Sequence, residues 1–137
     1  MMNFDELARQ YNEALKMRDK NAAHHRIDLV LNEAACNLPK DNPDSLEWFS
    51  VGLSDPEKKW FIAKLMAKVN PVPKALLDEL VLAAMLEPNP SANKFYVLPC
   101  VKTFGAAKVR ERMDRYSSRP EVIAVNGYDQ TSYWVRG

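Results

Sequence analysis

The chain has 137 residues, of which 47% are hydrophobic and 27% charged, with a formal net charge of +1 and only four glycines. This length can bury a core without disulfides or metal, so one domain over residues 1–137 is predicted, and the few glycines disfavour a turn-rich β protein. The net charge is too small for overall charge alone to bind nucleic acid. No stretch approaches the roughly 18–20 apolar residues of a membrane span.

The first elements are predicted to be helices. Apolar residues recur at three- and four-residue spacings over residues 3–19 and 22–37, and each set gives one apolar face. Asn3 is placed to cap the first helix. Residues 37–43 contain two prolines and are predicted to form a loop, followed by a short helix over residues 44–52.

The middle of the chain predicts two longer helices. Residues 54–57 combine a capping side chain, a proline and a glutamate, so a helix should begin here and run to about Val69. Pro73 fits the first turn of the next helix, which extends through Glu87. Since residues 73–87 are apolar nearly all round, this helix is predicted to lie in the middle of a helical protein.

The next two helices are separated by a tight junction. Ser91 is predicted to cap a helix that contains Pro99, and a kink is expected at that proline. Gly105 marks the junction. Residues 106–117 then form a helix with its apolar positions turned inward.

The tail, residues 118–137, permits two interpretations. Residues 122–128 locally resemble a hairpin with an Asn126-Gly127 turn. Alternatively, Pro120 opens a short helix that Gly127 ends, and a last helical turn follows. The helical interpretation is favoured, because a lone hairpin is marginally stable and nothing upstream offers it a sheet.

One segment almost repeats itself. Residues 59–66 recur as residues 94–101, an offset of 35 residues, with the lysine, the two aromatic positions and the apolar spacing retained. Trp60 aligns with Phe95 and is predicted to lie at the contact between repeats. A period in this range is typical of stacked helical pairs, which form extended binding surfaces. The pattern therefore favours a binding protein over an enzyme.

Three local features lie at matching places in a helix pair: Leu98-Pro99 in the first helix, Phe104-Gly105 at the turn and Val109-Arg110 in the second helix. Together they resemble the HEAT-repeat family, whose usual pattern has a proline in the first helix and an apolar–arginine pair early in the second. The resemblance is best over residues 55–117.

The resemblance implies an all-α fold: a right-handed stack of antiparallel helix pairs of the HEAT or armadillo type, with about seven helices. The chain would divide into N-terminal helices, a repeat-like pair, a HEAT-like pair and a C-terminal cap, at residues 1–53, 54–88, 89–117 and 118–137. The second helices, 73–87 and 106–117, would line a concave face. Such proteins mostly bind other proteins, and a minority bind nucleic acid.

Motifs for catalysis or metal binding are weak. Adjacent His24 and His25 point in different directions on a helix, so they do not predict a metal site. Cys36 and Cys100 have no CxxC spacing and are predicted to be buried thiols in a reducing compartment, which favours a cytoplasmic location. The sequence contains no GxGxxG, Walker, GxSxG or HExxH motif, so no catalytic residue, cofactor or metal is predicted.

The candidate binding residues lie near the C-terminus. Lys108, Arg112 and Arg115 share one helix face and can meet an acidic partner or track phosphates. Residues 94–137 carry eight basic and four acidic side chains, a net charge of +4. Trp134 either caps the last repeat or anchors a partner.

These observations support three hypotheses. The leading one is a non-catalytic protein-interaction module, a small adaptor or inhibitor that uses a helical-repeat surface. The alternative is a nucleic-acid-binding protein that uses the C-terminal basic face, as a helical repeat or as a winged helix with a wing at residues 121–135. An enzyme with a dispersed site is the third.

Overall fold

The computed structural model describes residues 3–69 and 71–136, and the regular elements in these ranges are all helical. Two of these elements are short 3₁₀ helices, Asp44–Leu46 and Lys74–Leu76. The α-helices are α1 (Phe4–Leu15), α2 (Lys20–Cys36), α3 (Glu47–Gly52), α4 (Lys59–Lys68), α5 (Leu77–Leu86), α6 (Lys94–Phe104), α7 (Ala106–Tyr116), α8 (Pro120–Ala124) and α9 (Gly127–Ser132). The all-α prediction is confirmed. The described ranges hold nine α-helices where about seven were predicted, because the tail contributes two short ones.

The N-terminal helices begin at side-chain caps. The Asn3 side chain accepts a hydrogen bond from the Glu6 backbone N–H at 3.1 Å, as predicted for α1. Asp19 caps α2 in the same way, since its carboxylate accepts from the backbone N–H groups of Asn21 and Ala22. Helices α1 and α2 pack on each other, and α2 also packs on α4.

Helix α4 begins later than predicted. Residues 54–58 form a turn, and the regular helix starts at Lys59. The Asp55 carboxylate accepts from the Glu57 backbone N–H at 2.8 Å, which closes a local turn instead of capping a helix.

Helix α6 also begins later than predicted, at Lys94 instead of just after Ser91. The fully buried Asn93 side chain donates hydrogen bonds to the backbone carbonyls of Ala84 and Glu87. These carbonyls lie at the end of α5, where a helix leaves acceptors without intrahelical partners. Asn93 therefore attaches the start of α6 to the end of α5.

Helix α5 lies in the middle of the molecule, as its apolar composition predicts. It packs against α6, α7, α8 and α9. Its buried side chains all belong to one continuous hydrophobic core: Leu77, Leu80, Val81, Ala84 and Met85.

The tail is helical, so the favoured interpretation of residues 118–137 is confirmed for its described part. Pro120 opens α8 as predicted, but α8 ends at Ala124. Gly127 begins α9 and does not end α8, which corrects the prediction. The chain reverses at Asn126, whose φ of 55° lies in the left-handed region that asparagine tolerates.

Gly127 is required by a close approach between α9 and α5. A Cβ atom at this position would lie 1.7 Å from the backbone carbonyl oxygen of Met85. Backbone atoms cannot move aside as a side chain can, so only glycine allows α9 to pack here.

We expect Gly127→Ala to lower the free energy of unfolding by about 1–3 kcal/mol, since the added methyl group forces α9 away from α5. The matched comparison is Gly52→Ala, whose Cβ would be too close to a side-chain end and not to backbone: the Cδ1 atom of Ile62, at 2.5 Å. Urea unfolding followed by circular dichroism measures both variants. Equal losses for the two would contradict the close approach of the α9 and α5 backbones.

Candidate functional site

The near-repeat of the sequence corresponds to two neighbouring helices. Helices α4 and α6 begin at the two equivalent lysines and pack side by side. The Trp60 ring meets Phe95 edge-on, with centroids 6.3 Å apart, and lies 5.4 Å from the Tyr96 ring. Trp60 therefore lies at the contact between the two repeated segments, as predicted.

The two equivalent lysines have the same local geometry but different charge partners. Lys59 Nζ lies 5.1 Å from the Trp60 ring centroid, and Lys94 Nζ lies 5.4 Å from that of Phe95. Lys59 also approaches the buried Glu87 carboxylate at 3.5 Å, which compensates its charge. Among the ion pairs of the described residues, none involves Lys94.

A surface cavity of about 320 Å³ lies between α4 and α6, and we call it the α4–α6 groove. The side chain of Leu98 is 42% exposed there, although it is apolar. Small residues on α4 keep the groove open, since Ala63 and Ala67 are one helical turn apart. The apolar lining consists of Ala63, Ala67, Phe95, Leu98 and Pro99.

Three lysines complete the groove lining, which contains no acidic residue: Lys64, Lys94 and Lys102. Lys64 Nζ lies only 3.7 Å from the Phe95 ring centroid. Burial lowers the pKa of Lys64, and the positive charge of Lys94 lowers it further. The groove thus concentrates positive charge on an apolar surface.

The lack of carboxylate partners distinguishes these lysines from others nearby. None of the three pairs with an acidic side chain in the part of the chain that the structure describes. By contrast, three lysines on or beside α4 each approach a carboxylate: Lys58 with Asp5 at 3.2 Å, Lys59 with Glu87 at 3.5 Å and Lys68 with Asp28 at 3.5 Å.

The predicted basic face on α7 is largely neutralised within the chain. Arg112 is only 13% exposed, with its Nε 2.6 Å from Asp78 and its Nη1 2.7 Å from Glu111. Arg115 lies 3.2 Å from Glu111 and 3.8 Å from Asp78. Lys108 is exposed. Two of the three predicted binding cations therefore already have carboxylate partners.

Asp78 links α5 to α7. Its carboxylate accepts a hydrogen bond from the Tyr116 hydroxyl at 2.7 Å as well as from Arg112. Partial burial acts to raise the pKa of Asp78, but these hydrogen bonds and the charges of Arg112 and Arg115 outweigh it and hold the pKa below its ordinary value.

Trp134 contacts the loop that precedes α6. Its indole N–H donates to the Pro90 carbonyl at 3.3 Å, and Lys94 Nζ lies 5.2 Å from its ring centroid. Arg110 holds the same part of the tail by donating to the Val135 carbonyl at 2.6 Å. These contacts lie within the chain, so they favour the capping interpretation of Trp134 over the anchoring one.

The concave face implied by the resemblance would consist of α5 and α7. Helix α5 is covered by α8 and α9, which are formed by the chain's own tail. The exposed groove lies instead on the first helices of the two repeated segments, α4 and α6.

The cysteines and histidines show no catalytic arrangement. Cys100 is buried, and burial raises the pKa of its thiol to about 12. Cys36, predicted to be buried, is exposed, because it ends α2 on the solvent side. His24 and His25 are exposed.

Within residues 3–69 and 71–136, no group of three or more His, Cys, Asp or Glu residues is arranged to hold a metal ion. The helices there are too short or too polar to cross a membrane.

No family model, curated protein or solved structure matches this chain. The groove residues were not among the candidates predicted from the sequence. Two signals indicate them: the near-repeat, which implies that α4 and α6 are equivalent, and the spacing of Ala63 and Ala67, which leaves room between helices.

We expect Asp78→Asn to lower the free energy of unfolding at neutral pH by about 1–2 kcal/mol, because it removes a charged acceptor shared by Arg112 and Tyr116. Since the folded-state pKa of Asp78 is lowered, this stabilisation is present above the unfolded-state pKa and is lost as the pH falls through the folded-state pKa.

Urea unfolding of the wild type and Asp78→Asn at several acidic pH values measures the difference in their free energies of unfolding. It should narrow as the pH falls, whereas a difference that is independent of pH would show that the carboxylate charge is not what stabilises the contact.

Proposed function

We propose that this chain is a non-catalytic protein-interaction module, a small adaptor or inhibitor, and that it binds its partner through the α4–α6 groove. The observation that carries the proposal is an exposed apolar groove bordered by three lysines that have no carboxylate partners among the described residues. Exposed apolar surface with a charged rim is typical of protein-interaction sites.

The helix packing supports a HEAT-like stack as the scaffold. The repeated first helices α4 and α6 are neighbours, the second helices α5 and α7 are neighbours, and α6 packs on α7 across Gly105. These contacts support a stack of helices over residues 54–117, in which α5 packs on α6 and α7 and not closely on α4. Helix α5 also packs closely on α6, which joins the two pairs.

The local chemistry supports binding without catalysis. A nucleophilic cysteine requires a lowered pKa, whereas the pKa of Cys100 is raised and its thiol is buried. The nucleic-acid alternative has less support, because Arg112 and Arg115 are already paired with acidic side chains. The cytoplasmic location remains a prediction.

The test is affinity capture from the native source with nuclease treatment, using the wild-type chain and Leu98→Glu. We expect to capture a specific protein partner whether or not nuclease is added. Leu98→Glu should abolish this capture, because the substitution places a charge on the apolar surface of the groove.

The matched control is Leu29→Glu, since Leu29 on α2 is similarly exposed, at 49%, and lies outside the groove lining. Both variants should unfold within about 0.5 kcal/mol of the wild type. Capture that Leu98→Glu leaves intact, or that nuclease abolishes, would contradict the proposal.

A further inference from the structure

We propose that the α4–α6 groove binds a short acidic segment of the partner protein. An apolar side chain of the segment lies on Leu98 and Ala67, and its carboxylates pair with the groove lysines. This inference rests on the proposed function and adds the chemistry of the ligand to it.

The size of the groove favours a segment over a folded surface. Its volume of about 320 Å³ is at the lower end of the roughly 300–1,000 Å³ that is typical of ligand sites. A standard interface between two folded proteins requires a much broader contact. One or two apolar side chains of a peptide fit this space, with the rest of the peptide lying along the helices.

The charges favour acidic residues beside the apolar ones. Lys64 and Lys94 both lie over the ring of Phe95, at 3.7 and 5.4 Å from its centroid, so their ammonium groups are held beside the apolar lining. The free groove must keep these like charges together, which is unfavourable. A carboxylate placed between them removes that repulsion and gains charge-assisted hydrogen bonds.

The groove is poorly suited to nucleic acid. Single-stranded nucleic acids stack their bases on exposed aromatic rings. Here the Phe95 ring already has Lys64 on its face and the edge of Trp60 against it. The large apolar side chain that is exposed in the groove is Leu98, which is not a stacking platform.

Other cavities lack this combination. A cavity of about 650 Å³ between α1 and the turn before α4 is lined by both acidic and basic residues. Its charges are balanced, three acidic and three basic, and two ion pairs form between them: Arg9 binds Glu13, and Lys58 binds Asp5. That cavity has no excess charge to select a ligand.

The test uses a phage-displayed library of random 12-residue peptides selected against the full chain. We expect the selected peptides to be enriched in aspartate, glutamate and large apolar residues. Fluorescence anisotropy then gives the affinity of a selected peptide for each variant. The double variant Lys64→Glu, Lys94→Glu should weaken binding about ten-fold or more, because attraction becomes repulsion.

The control is Lys108→Glu, which makes one such charge reversal at an exposed lysine of α7. It should alter the affinity less than about two-fold, and all variants should retain the wild-type unfolding temperature. Equal weakening by Lys108→Glu would overturn the inference, since overall charge would then explain the binding.

Two outcomes separate the ligand chemistry from the proposed function. Selected peptides that require Leu98 but carry no excess of acidic residues would overturn the inference and leave the proposed function standing. Peptides that bind Leu98→Glu as tightly as wild type would overturn both. An oligothymidylate of about 20 nucleotides could instead bind more tightly than any selected peptide and lose binding in the double variant Lys64→Glu, Lys94→Glu. That result would also overturn the inference and assign the groove to nucleic acid.

Discussion

Burial of helix α5 is the constraint on which the rest of the structure depends. A helix that is apolar nearly all round must be covered over most of its surface, and each fully buried leucine or valine contributes about 1.5–3 kcal/mol. Helices α6 and α7 cover part of α5, and the tail covers more through α8 and α9. Helix α9 packs so closely on α5 that a Cβ atom at Gly127 would not fit beside the Met85 carbonyl. The surface between α4 and α6 stays open, with Trp134 of the tail close to Lys94 at its edge.

Two kinds of charge arrangement follow from this packing. Where helices meet around α5, cations have carboxylate partners in the chain, as Arg112 has with Asp78. Along the α4–α6 groove, Lys64 and Lys94 have an aromatic neighbour instead, the ring of Phe95. Paired charges stabilise contacts between helices, whereas the groove lysines remain able to bind an external anion. This difference moves the proposed binding surface from α7 to the groove.

Local patterns predicted most of the helices but not their tertiary roles. The all-round apolarity of α5 indicated its central position, and the lack of an upstream sheet indicated a helical tail. The start of α6 was predicted too early, because Asn93 uses its side chain on α5 carbonyls and not on a local cap. The shared face of Arg112 and Arg115 followed from helical spacing. Their neutralisation depends partly on Glu111, which is close in sequence, and partly on Asp78, more than thirty residues earlier in the chain, and no local pattern predicts the pairing with Asp78.

The central claim is that the partner binds on α4 and α6 and not on α7. The most direct test is nuclear magnetic resonance of the ¹⁵N-labelled chain during titration with a selected peptide or the captured partner's binding segment. Largest shifts at the backbone amides of Lys64, Ala67 and residues 94–102, with little change at Lys108, Arg112 and Arg115, are the result that we predict. Largest shifts along residues 106–116, with the groove amides unchanged, would contradict the claim and restore the basic face of α7 as the binding surface.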